Sequence, residues 1–539
     1  LHPHLVTDCV ASMSEFPLGY ERVPPTTWAY LSSLLMIALY FKFTRFWSVR
    51  NLDLCLILLL ASGLLTVHSG ASSRQSVFDD MAAAREAGQW APEQYLQGLG
   101  QATRLDDENA SEVTGNDLNS SDRRLETGTE DTPGSGTEPG LSGGTEGDLE
   151  AHRALLITWQ ARYDESRRLE LTGYLILFSI GGLLLIRMLL DPIMVRRPLL
   201  EPNLSSGGLT FMGVAMLVFL FTNIWASVSV TEDLFAVREN TDDEAWWELE
   251  NKASVVLSSP GYLPLYRAPI LPTFVDGDRS EHLTSGTVGL SSERITKGLI
   301  VLCLVAIAVG IVMIGYLHFE NFWMGIGVAT MFLMLPYTVQ MMGRLPHVLP
   351  AALLVWAVVL YRMPFLSGVM LGICTGMIYY PLFLLPVWLG FYWKRGLSRF
   401  LMGCLLAVSL LVFALAYTSA SGEEFWLNFQ AMFGLWWPKY GGLQGIWSAG
   451  WEPVFRLPFI AGSIALSVAL VVWPTRKNLG ALLSGSCAIM LAIQFWHGHG
   501  GGLVMAWYLP LALLAIFRPN LEDYTAVNKV RETRWLSRS

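Results

Sequence analysis

Two adjacent carboxylates, Asp79 and Asp80, stand about a dozen residues beyond an apolar run that ends near residue 67. A carboxylate so placed can accept the proton of an attacking hydroxyl. Arg344 and His347 share a tight turn, Gly343-Arg344-Leu345-Pro346-His347, between two other apolar runs. His497 and His499 lie in QFWHGHGGGLVMAWY, and Lys439 in MFGLWWPKYGGLQGIWSAGW. Arginine grips a phosphate with a bidentate fork and lysine acts as a point charge. Trp436, Trp437, Trp447 and Trp451 can stack on sugar faces or cradle an isoprenoid chain. Tyr379 and Tyr380 precede Pro381 inside an apolar tract and can line a groove. Together the residue types suit group transfer from a phosphate leaving group to a hydroxyl. Each also has a plainer role: an interfacial aromatic belt for the tryptophans, helix-end charge for the aspartates, snorkelling for Arg344, core packing for the tyrosines. Histidines two apart can ligate a metal, but no third ligand is dictated. Neither a metal nor another cofactor is expected.

The elements that must hold these groups are hydrophobic. The chain has 539 residues, 52% hydrophobic and 15% charged, with mean hydropathy +0.41, against roughly 25% charged in ordinary soluble domains. Apolar runs cover 28–41, 52–67, 171–189, 208–229, 298–316, 322–341, 348–361, 365–392, 400–418, 457–473, 479–496 and 503–517. They predict an all-α polytopic membrane protein. Residues 365–392 stand apart: the tract is too long for one relaxed span, too short for two, and broken by Pro381 and Pro386. Broken backbone at membrane depth is tolerated where protein or water satisfies it, so this tract predicts a polar site within the bundle. Gly368, Gly372 and Gly376 repeat every fourth residue, the spacing of a close helix contact.

Charge orders the connections. The loops 42–51 (Lys42, Arg45, Arg50), 187–203 (Arg187, Arg196, Arg197), 393–399 (Lys394, Arg395, Arg399) and 474–478 (Arg476, Lys477) are basic, as is the tail. The positive-inside rule makes them cytoplasmic. The alternation then closes if 365–392 dips in and returns. That gives about eleven crossings plus a re-entrant or half-helix pair, an extracytoplasmic N-terminus and a cytoplasmic C-terminus. The net charge of −9 is local, because 104–150 carries 13 acidic and 3 basic residues. Nucleic-acid binding has no support. Five of six cysteines lie inside apolar runs and no CxxC occurs, so neither disulfides nor a structural zinc is expected.

The expected segments are 1–67 with the first two spans, 68–170 as an outer loop, 171–229 with spans three and four, 230–296 as an outer cap, 297–518 as a C-terminal bundle, and 519–539 as a basic tail. The Gly-, Ser-, Thr- and acid-rich piece 104–150 has the composition of a disordered stretch. The helical pattern after it continues into the third span.

The stretch GRLPHVLPAALLVWAVVLYRMPFLSGVMLGICTGMIYYPLFLLPVWLGFYWKRG resembles the GT-C membrane glycosyltransferases, and among them the bacterial mannosyl- and arabinosyltransferase-like proteins that use polyprenyl-phosphate sugars. Arg362-Met363-Pro364, Leu366-Ser367-Gly368, Gly372, Tyr380-Pro381 and Lys394-Arg395 follow that group's order of turn, Gly-rich helix, Pro break and basic turn. The likeness covers 297–400. It departs at His347, where many relatives carry Asn, and at Ile378-Tyr379, where a Lys is common.

The resemblance implies a cell-membrane enzyme transferring a hexose or pentose from a lipid-linked donor on the extracytoplasmic face. Asp79 or Asp80 would be the base. Arg344, His347, Tyr380, Lys439, His497 and His499 would flank the donor, with membrane lipids around them. The alternative is a non-catalytic multi-pass protein, a lipid or solute transporter or an assembly scaffold. No pair of acids stands inside one apolar run, which weakens a proton-coupled transporter.

Overall fold

The computed structural model describes residues 24–86, 146–194, 200, 202–226, 287–341, 343–393, 395–419, 421–435, 445–448, 451–475, 477–498 and 504–519. The described chain is helical, with no strand among those residues. In order the helices are α1 (Pro25–Tyr40), α2 (Val49–Glu86), α3 (Glu146–Leu190), α4 (Ser206–Trp225), α5 (Thr287–Phe319), α6 (Phe322–Met334), α7 (Pro336–Met341), α8 (Leu345–Val359), α9 (Pro364–Met377), α10 (Leu385–Tyr392), α11 (Leu397–Thr418), α12 (Gly422–Phe433), α13 (Arg456–Val472), α14 (Leu479–Gln494) and α15 (Leu509–Phe517). Stretches of α2, α3, α4, α5 and α11 are long and apolar enough to cross a membrane. The other expected spans fall on shorter helices, cut by prolines or by polar turns.

Local chemistry sets where these helices begin. Proline occupies the first helical position of α1, α7 and α9, where its missing N–H is not needed. Asn321 caps α6 by accepting from the Met324 amide at 2.9 Å, and Asn478 caps α14 through the Ala481 amide at 2.8 Å. These bonds satisfy donors that a helix start leaves orphaned.

By contact the chain divides into Leu1–Val67 with Leu171–Ser539, and His68–Glu170. Within His68–Glu170 the end of α2 packs on the first part of α3. Gly70 permits the approach, since a Cβ there would meet the Glu170 amide nitrogen at 2.6 Å and the Ser166 carbonyl at 2.8 Å. Arg74 pairs with Glu170 at 2.6 Å, Arg162 with Asp80 at 2.7 Å, and the Phe78 and Tyr163 rings meet edge to face. The acidic stretch 104–150 lies almost wholly outside the described residues, as does most of the cap 230–296.

In the larger unit, the tract 365–392 is a helical hairpin. α9 runs parallel to α11, with Gly368 over Phe400, Gly372 over Cys404 and Ala407, and Gly376 over Leu411. Gly403 answers from α11 against Phe365. The glycine stripe is thus a backbone-to-backbone contact, as its spacing predicts. At Ile378 the backbone turns extended (φ −138°, ψ 139°), and Tyr380–Leu384 forms one 3-10 segment before α10. Pro381 and Pro386 withhold two amide donors where a continuous helix would need them. α10 then comes back. Tyr392 Oη donates to the Tyr361 carbonyl at 2.6 Å, and the Tyr392 and Trp388 rings lie 4.9 and 6.0 Å from Phe400. The lengths agree: α9 rises about 21 Å, while the 3-10 segment and α10 together return about 22 Å.

One feature departs from the charge-based reading. Arg187 counts there as a loop cation, yet it is buried, as is Arg518 at the end of the C-terminal bundle. Arg187 binds Asp53 through two parallel bonds, Nε to Oδ1 at 2.9 Å and a terminal nitrogen to Oδ2 at 3.1 Å. It also reaches Asp191 at 3.5 Å, and Arg518 pairs with that same carboxylate. Gly480 leaves room for the Arg518 guanidinium, which a side chain would strike. Buried charge persists where it is paired in this way. These residues join α2, the end of α3 and the end of α15, and are not free loop charges.

Candidate functional site at the hairpin tip

The hairpin tip gathers aromatic and histidine side chains from four other places in the chain. Leu335-Pro336 interrupts α6 and starts α7, which carries Tyr337. Pro346 sits at the start of α8 and puts His347 on its first turn. α14 ends just before Trp496 and His497. A 3-10 turn, Met505–Trp507, precedes α15. Backbone breaks thus bring each group to the bundle.

Trp507 is the central ring. Its Nε1 donates to the Pro346 carbonyl at 3.1 Å, and its ring lies 5.4 Å from Tyr380 and 5.6 Å from His497. Tyr380 stands 4.7 Å from His497, 4.1 Å from Tyr379 and 5.4 Å from Trp496. Arg456, the first residue of α13, donates to the Trp496 carbonyl at 3.0 Å, and its charge is felt at both tyrosines. The Tyr337 hydroxyl lies 2.7 Å from His347 Nδ1. Arg344, half-buried, precedes α8 and is close enough for its charge to act on His347.

Of the residues singled out in sequence, Tyr380 and His497 therefore touch at the tip, and Trp507 links them to the turn that carries Arg344 and His347. They are enclosed: His347 is 4% and His497 1% exposed. A narrow apolar crevice lies alongside, lined by Leu60, Tyr174, Phe178, Phe495, Tyr508 and Gln494. The Gln494 side-chain oxygen Oε1 is buried there and accepts no bond among the described residues. A second crevice continues past Leu60 and Met505 to Tyr337.

Asp79 and Asp80 belong to the other unit, His68–Glu170, and both are exposed. Asp79 accepts from Gln75 Nε2 at 3.0 Å, and Asp80 pairs with Arg162. Lys439, His499, Trp436 and Trp437 lie outside the described residues. Trp447 is buried with its ring edge toward Phe459, whereas Trp451 is exposed beside Phe455. Among the described residues no group of three His, Cys, Asp or Glu could hold a metal ion.

Tyr337, Trp507 and Arg456 were missed in sequence. A Pro-interrupted apolar run leading into the Gly343–His347 turn was the available signal for Tyr337. MAWY beside the histidines was the signal for Trp507.

Comparison with known proteins finds no matching family model, no matching curated protein and no matching solved structure.

Proposed function

We propose that the chain is a multi-pass membrane glycosyltransferase of the GT-C kind, transferring a sugar from a polyprenyl-phosphate donor to a hydroxyl acceptor on the extracytoplasmic face of the cell membrane. In this reading the chain crosses about eleven times, the hairpin 364–392 re-enters from the cytoplasmic side, and the N-terminus is extracytoplasmic. The acceptor oxygen attacks the anomeric carbon, and its proton goes to Asp79 or Asp80. The sugar–phosphate bond breaks, and the phosphate leaves as an anion toward Arg344, His347 and Lys439. Tyr380, His497 and His499 flank the donor. Its hydrocarbon stays in apolar surroundings while the headgroup reaches the polar turn.

One observation carries this reading: the proline-broken tip at Tyr380 touches His497 and Trp507, and Trp507 bonds the Pro346 carbonyl in the turn that carries Arg344 and His347. A second reading draws on the ion pair that occupies Asp80 and on the enclosure of both histidines. There the chain is a non-catalytic transporter or scaffold.

The two separate in proteoliposomes containing the full chain and polyprenyl-phosphate mannose or arabinose. The transferase reading expects release of polyprenyl phosphate, lost with Asp79→Asn and Asp80→Asn combined. Neither release nor donor binding, with membrane glycolipids unchanged on deletion of the chain, would leave the second reading.

A further inference from the structure

Gln494, the last residue of α14, has one end of its amide engaged and the other idle. Nε2 donates to the Met490 carbonyl at 3.4 Å. A carbonyl can only accept, so this bond fixes which end of the amide is nitrogen and which is oxygen. Oε1 is buried and accepts no bond among the described residues, on a side chain 6% exposed. Buried acceptors normally find a donor, and one left without it destabilises the fold. Gln494 lines the crevice between α2, α3 and α14, whose free space is about 20 Å³, room for one group the size of a water.

The crevice opens at a defined place. Phe178 and Phe495 are its half-buried wall residues, whereas Leu60, Leu177 and Met505 behind them are buried or nearly so. The two rings stand 5.4 Å apart. Gly181 and Gly182 leave the Phe495 ring its place, since a Cβ on either would lie 3.7 or 3.9 Å from its tip. Leu175 and Leu183, on either side of Phe178 along α3, are exposed on a helix apolar enough to cross a membrane. In a bilayer the mouth therefore faces lipid.

An amide oxygen recognises a donor. No charged side chain lines the crevice, so a cationic donor would be stranded there. A water would face mainly hydrocarbon, because apart from Gln494 and two tyrosines the walls are apolar, and a buried water needs several polar partners. An alcohol needs fewer: its hydroxyl donates once, and its carbon suits the apolar wall. We infer that this crevice is a binding site for the hydroxyl of a neutral lipid alcohol, which enters between Phe178 and Phe495 and donates to Gln494 Oε1. Only the hydroxyl end is enclosed, and the chain stays in the bilayer along α3. The site is independent of sugar transfer.

The test uses the full chain in lipid nanodiscs with two probes, a dodecanol carrying a diazirine near its oxygen and the methyl ether of the same molecule. Both partition into the bilayer, but the ether has no proton to donate. On irradiation the alcohol should label the segments around Phe178 and Phe495 about three- to tenfold more than the ether, the scale of one hydrogen bond. Gln494→Met should bring labelling by the alcohol down to the level of the ether and leave the ether unchanged. Plain dodecanol should raise the thermal midpoint of wild type and not of Gln494→Met. Equal labelling by alcohol and ether overturns the inference, because the crevice would then meet lipid without recognising a hydroxyl. Absence of label from both segments also overturns it and leaves the space to water. The wild-type comparison of the two probes decides the matter even if Gln494→Met fails to fold.

Discussion

Tyr392 Oη donates to the Tyr361 carbonyl at 2.6 Å, tying the last residue of α10 to the residue three before α9 begins. Entry and exit of the hairpin are thereby neighbours, and its tip is free to meet turns from elsewhere in the bundle. Tyr392→Phe removes that donor and leaves a buried carbonyl unpaired. The expected cost is about 1–3 kcal/mol, read as a lower thermal midpoint for the purified chain in detergent. An unchanged midpoint would mean that the return of α10 depends on its ring packing alone.

The α9–α11 contact permits no side chain at its glycines. A Cβ on Gly372 would lie 2.7 Å from the Cys404 carbonyl, and one on Gly368 or Gly403 would overlap the facing backbone. Gly368→Leu should therefore destabilise by at least the roughly 1–3 kcal/mol typical of overpacking, and yield of folded protein should fall. Gly298, with open space around it, is the control, and Gly298→Ala should change little.

Asp53 and Arg187 form a buried bidentate pair. Asp53→Leu or Arg187→Met alone should cost about 3–5 kcal/mol by stranding a charge, while the two together should cost far less than the sum. A double-mutant cycle on thermal or denaturant stability checks this. Additive losses would show that the pair is uncoupled.

The Arg162–Asp80 pair is different, because both side chains are about half exposed. Asp80→Asn should change stability by no more than about 1 kcal/mol. Loss of sugar transfer in that variant at full stability would then be a chemical effect. A large loss of stability would make the activity result uninterpretable for Asp80 and would contradict the surface character of the pair.

The hairpin was legible in sequence because prolines report where a helix must break, and because glycines four apart report a helix face. The link from His497 through Trp507 to the turn that carries Arg344 and His347 was not legible, because nothing local shows Trp507 reaching both. The Tyr337–His347 bond was not: tyrosine in an apolar run reads as packing, and nothing local shows its hydroxyl turned towards a histidine ten residues on. The ion network was also hidden. Its partners are 134 and 327 residues apart, so each cation looks like loop charge until its acid is found. α12 was passed over because GEEFWLNFQAMF mixes acids and aromatics and is too polar for a span.

The most direct test of the account is the sidedness of the hairpin. Single cysteines at Arg362, Trp393 and Glu423 in a cysteine-free full chain, probed with an impermeant thiol reagent in oriented vesicles, report it. The account predicts 362 and 393 reactive from the cytoplasmic side and 423 from the opposite side. Reaction of 362 and 393 from opposite sides would make 364–392 a through-going span, and would contradict the re-entrant hairpin and the site built on its tip.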